Sequence, residues 1–232
     1  MIKLFLTLLF SFTISLSFCQ DGGFSSPAAY GATEPFANRA YKEKADNSVE
    51  GNPLLFDNWM PGEVILKNGE KYFLQKINLD AGVNIFLYSK NDTVFEFSDN
   101  VKEIKIYGPD HTDNPSSDMV FMSNVKPNDP GLVHVLDSGK IIIFQEYDKK
   151  PEGENYSNGI VNNSRKYTLH TTQSAVVNNQ VIPIKFSSSS LDEITSDKKQ
   201  QVQAFVKENK LRVKKEDDFL RAINFYNSIS KS

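Results

Sequence analysis

The sequence predicts an α+β fold: a mainly antiparallel β domain, arranged as a meander, a sandwich or an open barrel, followed by a C-terminal helical pair. Three observations carry that expectation. From Trp59 to Gly108 apolar residues alternate in short runs, and turn residues interrupt them at intervals of about 8 to 12 positions. From Leu132 to Phe186 further β-prone runs flank Asp137-Ser138-Gly139-Lys140 and Asn178-Asn179, both turn-forming sequences. After Ser187 the apolar period lengthens from two to about 3.6, which is the helical repeat.

Met1 to Cys19 reads as a signal peptide that stays outside the fold. Lys3 supplies the positive start, and the apolar run from Leu4 to Phe18 falls short of the roughly 20 residues of a membrane span. Ser17 and Cys19 suit the subsites of a signal peptidase, which would leave Gln20 as the new N-terminus. The lesser alternative is lipidation of Cys19, giving a lipid anchor; Phe18 opposes it, because a small residue belongs just before a lipidated cysteine. Cys19 is the single cysteine, so cleavage after it leaves a chain without disulfide or thiol chemistry.

Residues 20–52 are rich in Gly, Ser, Ala, Pro and Asn and read as a flexible leader without a core of its own, able to lie along the body or a partner. The β domain follows over residues 53–186. Val64 and Leu66 share one strand face, and Asn68-Gly69 predicts a two-residue hairpin of the primed type, with positive φ at both positions. Phe73, Ile77 and Leu79 form the return strand. Val83, Ile85 and Leu87 belong to an apolar, central strand. Phe95 and Phe97 follow the turn at Asn91-Asp92, and Ile104 and Ile106 alternate with charged neighbours. Ile141-Ile142-Ile143-Phe144 is the most β-prone run and predicts burial on both faces. Lys149 to Ser164 reads as a long polar excursion. Over residues 187–232, Ser190 to Glu193 predict a short capped turn and Ser196 an N-cap. One helix carries Val202, Phe205 and Val206 and ends at Asn209 as a left-handed cap. A second presents Phe219, Leu220, Ile223, Tyr226 and Ile229 on one face, packed on the β domain.

The formal charge of −3 excludes a globally basic nucleic-acid binder, and no nucleic-acid partner is expected. Lysines gather near the C-terminus, with Lys214 and Lys215 a candidate contact for an acidic partner and solvated charge the plainer reading. Trp59, the only tryptophan, reads as an anchor at the sheet's end, with a stacking platform for a ligand as its rival. Asp110, His111 and Asp113 offer too few donors in one loop to outweigh an ordinary surface turn. His111, His134 and His170 lie far apart in sequence, and no hydrolase elbow, zinc helix or phosphate loop is present. No catalytic residue, cofactor or metal is therefore expected.

The pattern Trp-x-x-Gly-x-Val-x-Leu-x-x-Gly from Trp59 to Gly69, with the ending around Phe205 to Leu211 and Asp218 to Asn227, resembles a family of uncharacterised exported proteins of the Bacteroidota. The resemblance covers about two thirds of the mature chain and implies a β-meander domain with a C-terminal helix pair, but carries over no catalytic residues. Asp92-Thr93-Val94 matches the O-glycosylation acceptor pattern of that lineage, making Thr93 a candidate acceptor. Together these readings imply a non-enzymatic exported protein, periplasmic or associated with the outer membrane (alternatively extracellular), serving as an accessory subunit or interaction module of an envelope complex. The alternative is a glycan- or peptidoglycan-binding protein, and a hydrolase without a recognised motif comes third. After signal cleavage no transmembrane segment is expected.

Overall fold

A computed structural model describes residues 34–42, 48–111, 117–153, 155–157, 161–163 and 165–230, so Cys19, Gln20 and Asp113 lie outside the described residues. Strand β1 (Ala37–Ala40) comes from the leader, followed by β2 (Met60–Leu66), β3 (Lys71–Asp80), β4 (Ile85–Lys90), β5 (Thr93–Phe97) and β6 (Val101–Ile106). After them come β7 (Met119–Met122), β8 (Val133–Asp137), β9 (Ile142–Glu152), the short β10 (Asn155–Ser157) and β11 (Val161–Asn163), β12 (Lys166–Val177) and β13 (Gln180–Ile184). Eleven strands form one antiparallel, unclosed sheet in the order β1-β5-β4-β3-β2-β6-β7-β8-β9-β12-β13, with β10 and β11 as a separate hairpin. Helices α1 (Ser188–Ile194), α2 (Lys199–Glu208) and α3 (Glu216–Ile229) complete the expected α+β fold.

The strand order forces the first half to curl. β5 and β6 are separated by three intervening neighbours in the sheet, yet only Ser98-Asp99-Asn100 joins them. In a flat sheet they would stand about 19 Å apart, whereas the chain from Phe97 to Val101 reaches at most about 14 Å. Val64, Leu66, Ile77, Leu79, Phe86, Tyr88, Phe95 and Phe97 fill the inside of the curl. A second core lies under the helices, where Phe219, Ala222, Ile223 and Tyr226 meet Ile141, Ile143, Ala175 and Ile184. The helices are thus packed on the sheet.

Asparagine and aspartate make the tight turns. Asn91 and Asp92 both have positive φ between the paired Lys90 and Thr93, and Asn178 and Asn179 do the same between Val177 and Gln180. These are primed two-residue hairpins, whose twist matches that of the strands.

The expected primed turn at Asn68-Gly69 is different. Gly69 alone of the two has positive φ, Gly69 N donates to Leu66 O at 2.9 Å and Leu66 N to Glu70 O at 2.9 Å. The loop is therefore three residues long with a glycine bulge, and Asn68 instead uses its side chain, accepting from Glu70 N at 3.0 Å.

Other expectations change as well. Val83 lies in the turn before β4, 57% exposed, because Asp80 Oδ1 captures Gly82 N and Val83 N and ends β3 there. The polar excursion after Lys149 is largely strand: β9 and β12 pair from Ile142↔Val176 to Glu152↔Lys166 as a long two-stranded arm. Asn209 ends α2 at φ −88°, and it is Lys210 that turns left-handed at φ 56°. Ser196 opens a 3₁₀ turn, Ser196–Lys198, ahead of α2.

The leader shows the largest difference. Phe36 is 2% exposed inside the curled core, against Tyr72, Tyr88 and Phe97, and β1 adds an edge strand to β5. Farther on, Val49 is buried, and Glu50 bridges to Lys166. The described part of the leader thus belongs to the fold. Its four aromatics have no regular period, so no strand was legible there.

Candidate functional site

Two concavities stand out, at opposite kinds of surface. The first is a cleft of about 370 Å³ where the leader, the β3–β4 turn and the arm converge; Arg39, Tyr41, Lys42, Asp80, Glu96, Lys149, Lys150 and Tyr167 are among its lining residues. Register puts Asn78, Asp80, Leu87 and Glu96 on the face of the sheet opposite the curled core. The carboxylates there are enclosed, Asp80 at 2% exposure and Glu96 at 7%. Buried charge requires partners, and both have them. Asp80 accepts from Gly82 N at 2.9 Å, from Val83 N at 3.3 Å and from the Tyr41 hydroxyl, while Glu96 pairs with Arg39 Nε at 2.9 Å. Lys149 Nζ donates to Leu54 O at 2.6 Å and so ties the arm to the segment that leads into β2.

The second is a shallow groove of about 620 Å³ between α2, α3 and the end of β8, lined by Leu136, Asp137, Phe205, Asp217, Leu220 and Phe225 among others. Phe205 and Phe225 stack in parallel, 4.2 Å between centroids, joining the two helices. Burial pushes the Asp137 carboxyl up, against the opposing pull of Ser138 N–H and Asn227, and its Oδ2 is buried without a hydrogen-bond partner. Arg221 is held by Asp218 at 3.5 Å, so the groove presents acidic rather than basic character.

His134 occupies the seam between the two halves of the sheet. Its Nδ1 lies 2.8 Å from the Tyr147 hydroxyl, and its ring packs between Phe121 and Tyr147. Burial lowers its pKa to about 4 and raises that of Tyr147 to about 12, so at neutral pH both are uncharged. His111, the candidate loop ligand, binds Asp118 instead, with Nδ1 2.9 Å from Oδ2, and stacks on Tyr107. Burial opposes ionisation of Asp118, but Lys105, Gly108 N–H and His111 outweigh it and hold the carboxyl below the usual range. His170 pairs with Glu152 at 2.8 Å on the arm. The three histidines thus serve three separate places, and no group of three metal-ligating side chains occurs among the described residues.

The residues singled out from sequence lie elsewhere. Trp59 is half-buried just before β2, and Thr93 is exposed at the first position of β5. Lys214 and Lys215 are exposed in the link into α3, whereas Lys198 turns inward and donates to Ile229 O at 2.9 Å. None of them enters either concavity. The signal for the cleft was present in the sequence as Asp80 and Glu96, carboxylates set among the apolar residues of Ile77-Asn78-Leu79-Asp80 and Phe95-Glu96-Phe97. Comparison of the chain with protein-family models, with curated proteins and with solved structures finds no match.

Proposed function

We propose that the chain is a non-enzymatic exported protein of the cell envelope, an accessory subunit or interaction module of an outer-membrane or periplasmic complex. The observation that carries this reading is the groove on the helical face, where half-buried Phe205, Leu220 and Phe225 meet the carboxylates of Asp137 and Asp217. Apolar side chains left half-covered beside acids suit a partner segment that combines an aliphatic or aromatic anchor with a lysine or arginine. The free strand edges are less suited to docking. β1 is only four residues long, and β13 carries Pro183, a residue that blunts an edge. Among the described residues no helix is long and apolar enough to cross a membrane, which accords with attachment to a complex through a surface.

The test is affinity purification of the tagged chain from envelopes, followed by mass spectrometry, in parallel with the surface variant Asp217→Lys/Asn224→Lys. An envelope protein enriched by the native chain and lost with the variant supports the groove. The same proteins retained by both, or none enriched, would overturn it. Lys214→Glu/Lys215→Glu, run beside them, assigns those lysines to docking if association falls, and to solubility if it does not.

A further inference from the structure

We propose that the cleft between leader and arm is a binding site for a small sugar carrying an oxyanion, either a carboxylate or a phosphate. It shares no residue with the helical groove and stands independently of the docking reading. Four cations line the cleft, Arg39, Lys42, Lys149 and Lys150, against the two carboxylates of Asp80 and Glu96, in a chain whose formal net charge is −3. The carboxylates are occupied internally, Asp80 by two backbone N–H groups and the Tyr41 hydroxyl, Glu96 by Arg39 Nε. Lys150 is paired with Asp148 two positions before it on β9, and the other three cations keep free donors. Arg39 has 72% of its side chain exposed and engages Glu96 through Nε, which leaves the outer guanidinium nitrogens for a ligand. Lys42 is exposed with no partner among the described residues, and Lys149 directs one of its three protons to Leu54 O.

The remainder of the lining explains why a bare anion is too little. Tyr167, Tyr41, Pro53, Pro151, Val83 and Ile85 form an apolar wall beside the charges. Aromatic rings and prolines offer flat C–H and π surface, which suits the face of a pyranose ring. At about 370 Å³ the cleft lies toward the small end of ligand pockets, about 300–1,000 Å³. The walls come from parts of the chain remote in sequence: Arg39 to Lys42 at the end of β1, Asp80 to Ile85 at the turn, and Lys149 to Pro151 with Tyr167 on the arm. A ligand bridging them fastens the leader to the arm, so binding and protection of the leader from protease go together.

Calorimetric titration of the full chain with glucuronate, glucose 6-phosphate, glucose and inorganic phosphate tests the site. Glucuronate or glucose 6-phosphate is expected to bind at least tenfold more tightly than glucose, and whichever does so identifies the anion. Lys42→Ala/Lys150→Ala, both exposed positions, is expected to weaken that binding about tenfold without moving the melting temperature. The anionic sugar is also expected to slow proteolysis within the leader. Failure of both anionic sugars to bind would overturn the proposal, as would undiminished affinity in the double variant. Equal affinity for glucose 6-phosphate and inorganic phosphate would also overturn it, because the ring would then contribute nothing.

Discussion

Two residues, Asn227 and His134, show how single side chains join distant parts of this chain. Asn227 on α3 is buried, and its amide accepts from Ile141 N at 2.9 Å and donates to Ile141 O at 3.1 Å, completing the backbone where the loop enters β9. Gly139 permits this approach, since a Cβ there would come within 2.5 Å of Asn227 Nδ2. Asn227→Ala leaves both groups of Ile141 unpaired, an expected loss of about 1–3 kcal/mol for each such group. Gly139→Ala is destabilising on its own and less so in Asn227→Ala, which removes the obstructing amide but keeps a Cβ 2.9 Å away; fully additive losses in denaturant titrations would contradict the clamp. His134 gives a pH signature. Its folded pKa of about 4 lies below the ordinary 6.5, so between those values the unfolded chain binds the extra proton. Stability therefore falls as pH drops through that window, by up to about 3 kcal/mol. His134→Gln cannot titrate and is expected to show a shallower slope from pH 6.5 to 4; parallel slopes would assign the acid sensitivity to other groups.

Among the elements, the leader and α3 depart most from what their sequences suggested. Apolar alternation made β2 to β6 legible, because a strand with one buried face writes its geometry into a period of two. β1 left no such trace: its ladder to β5 uses backbone groups, and the core is reached by Phe36, just before the strand, with the small Ala37 beside it. The cleft's carboxylates were legible among apolar neighbours but its cations were not, since Arg39 and Glu96 are 57 positions apart and meet only after the leader docks. The sequence reads the leader as a segment without a core of its own, whereas Phe36→Ala is expected to cost about 3–5 kcal/mol, the range for an emptied aromatic core site. A melt unchanged by that substitution would return the leader to the status of a loose tail. On α3 the apolar stripe predicted Leu220 as a core residue, with a loss of about 2–5 kcal/mol on truncation. Leu220 is only half-buried and lines the groove, whereas Ile223 is fully buried. Ile223→Ala takes over the larger expected loss, and Leu220→Ala falls below it. Calorimetric melts of the two variants give the order directly, and the reverse order would mean that the groove is closed.

At the scale of the whole molecule, one sheet serves two main cores and a small third cluster of Val133, Phe144 and Val176, and the join between the main two is narrow. β7 and β8 pair only at Phe121↔His134 and Met122↔Val133, whereas β9 and β12 pair along most of their length. Side chains reinforce the join: Phe121 is buried in the curled core, meets Phe86 at 4.8 Å, and reaches across the seam to His134 at 5.1 Å. A second link runs from Ala81 O to Lys149 N at 3.2 Å and from Leu54 O to Lys149 Nζ, beside the cleft. With both links intact the two cores are expected to unfold together, since loss of either exposes apolar surface of the other. The chain supplies a probe for each. Trp59 is the only tryptophan and leads into β2 of the curled half, whereas α1, α2 and α3 all belong to the other half. In the native chain at pH 7, tryptophan fluorescence and helical circular dichroism are expected to give one superimposable denaturant transition. Phe121→Ala removes the aromatic bridge and weakens the curled core by about 3–5 kcal/mol. The fluorescence transition should then move to lower denaturant and separate from the helical one. Coincident transitions in Phe121→Ala, both displaced by the same amount, would show that the arm and its link to the leader suffice to hold the halves as one cooperative unit.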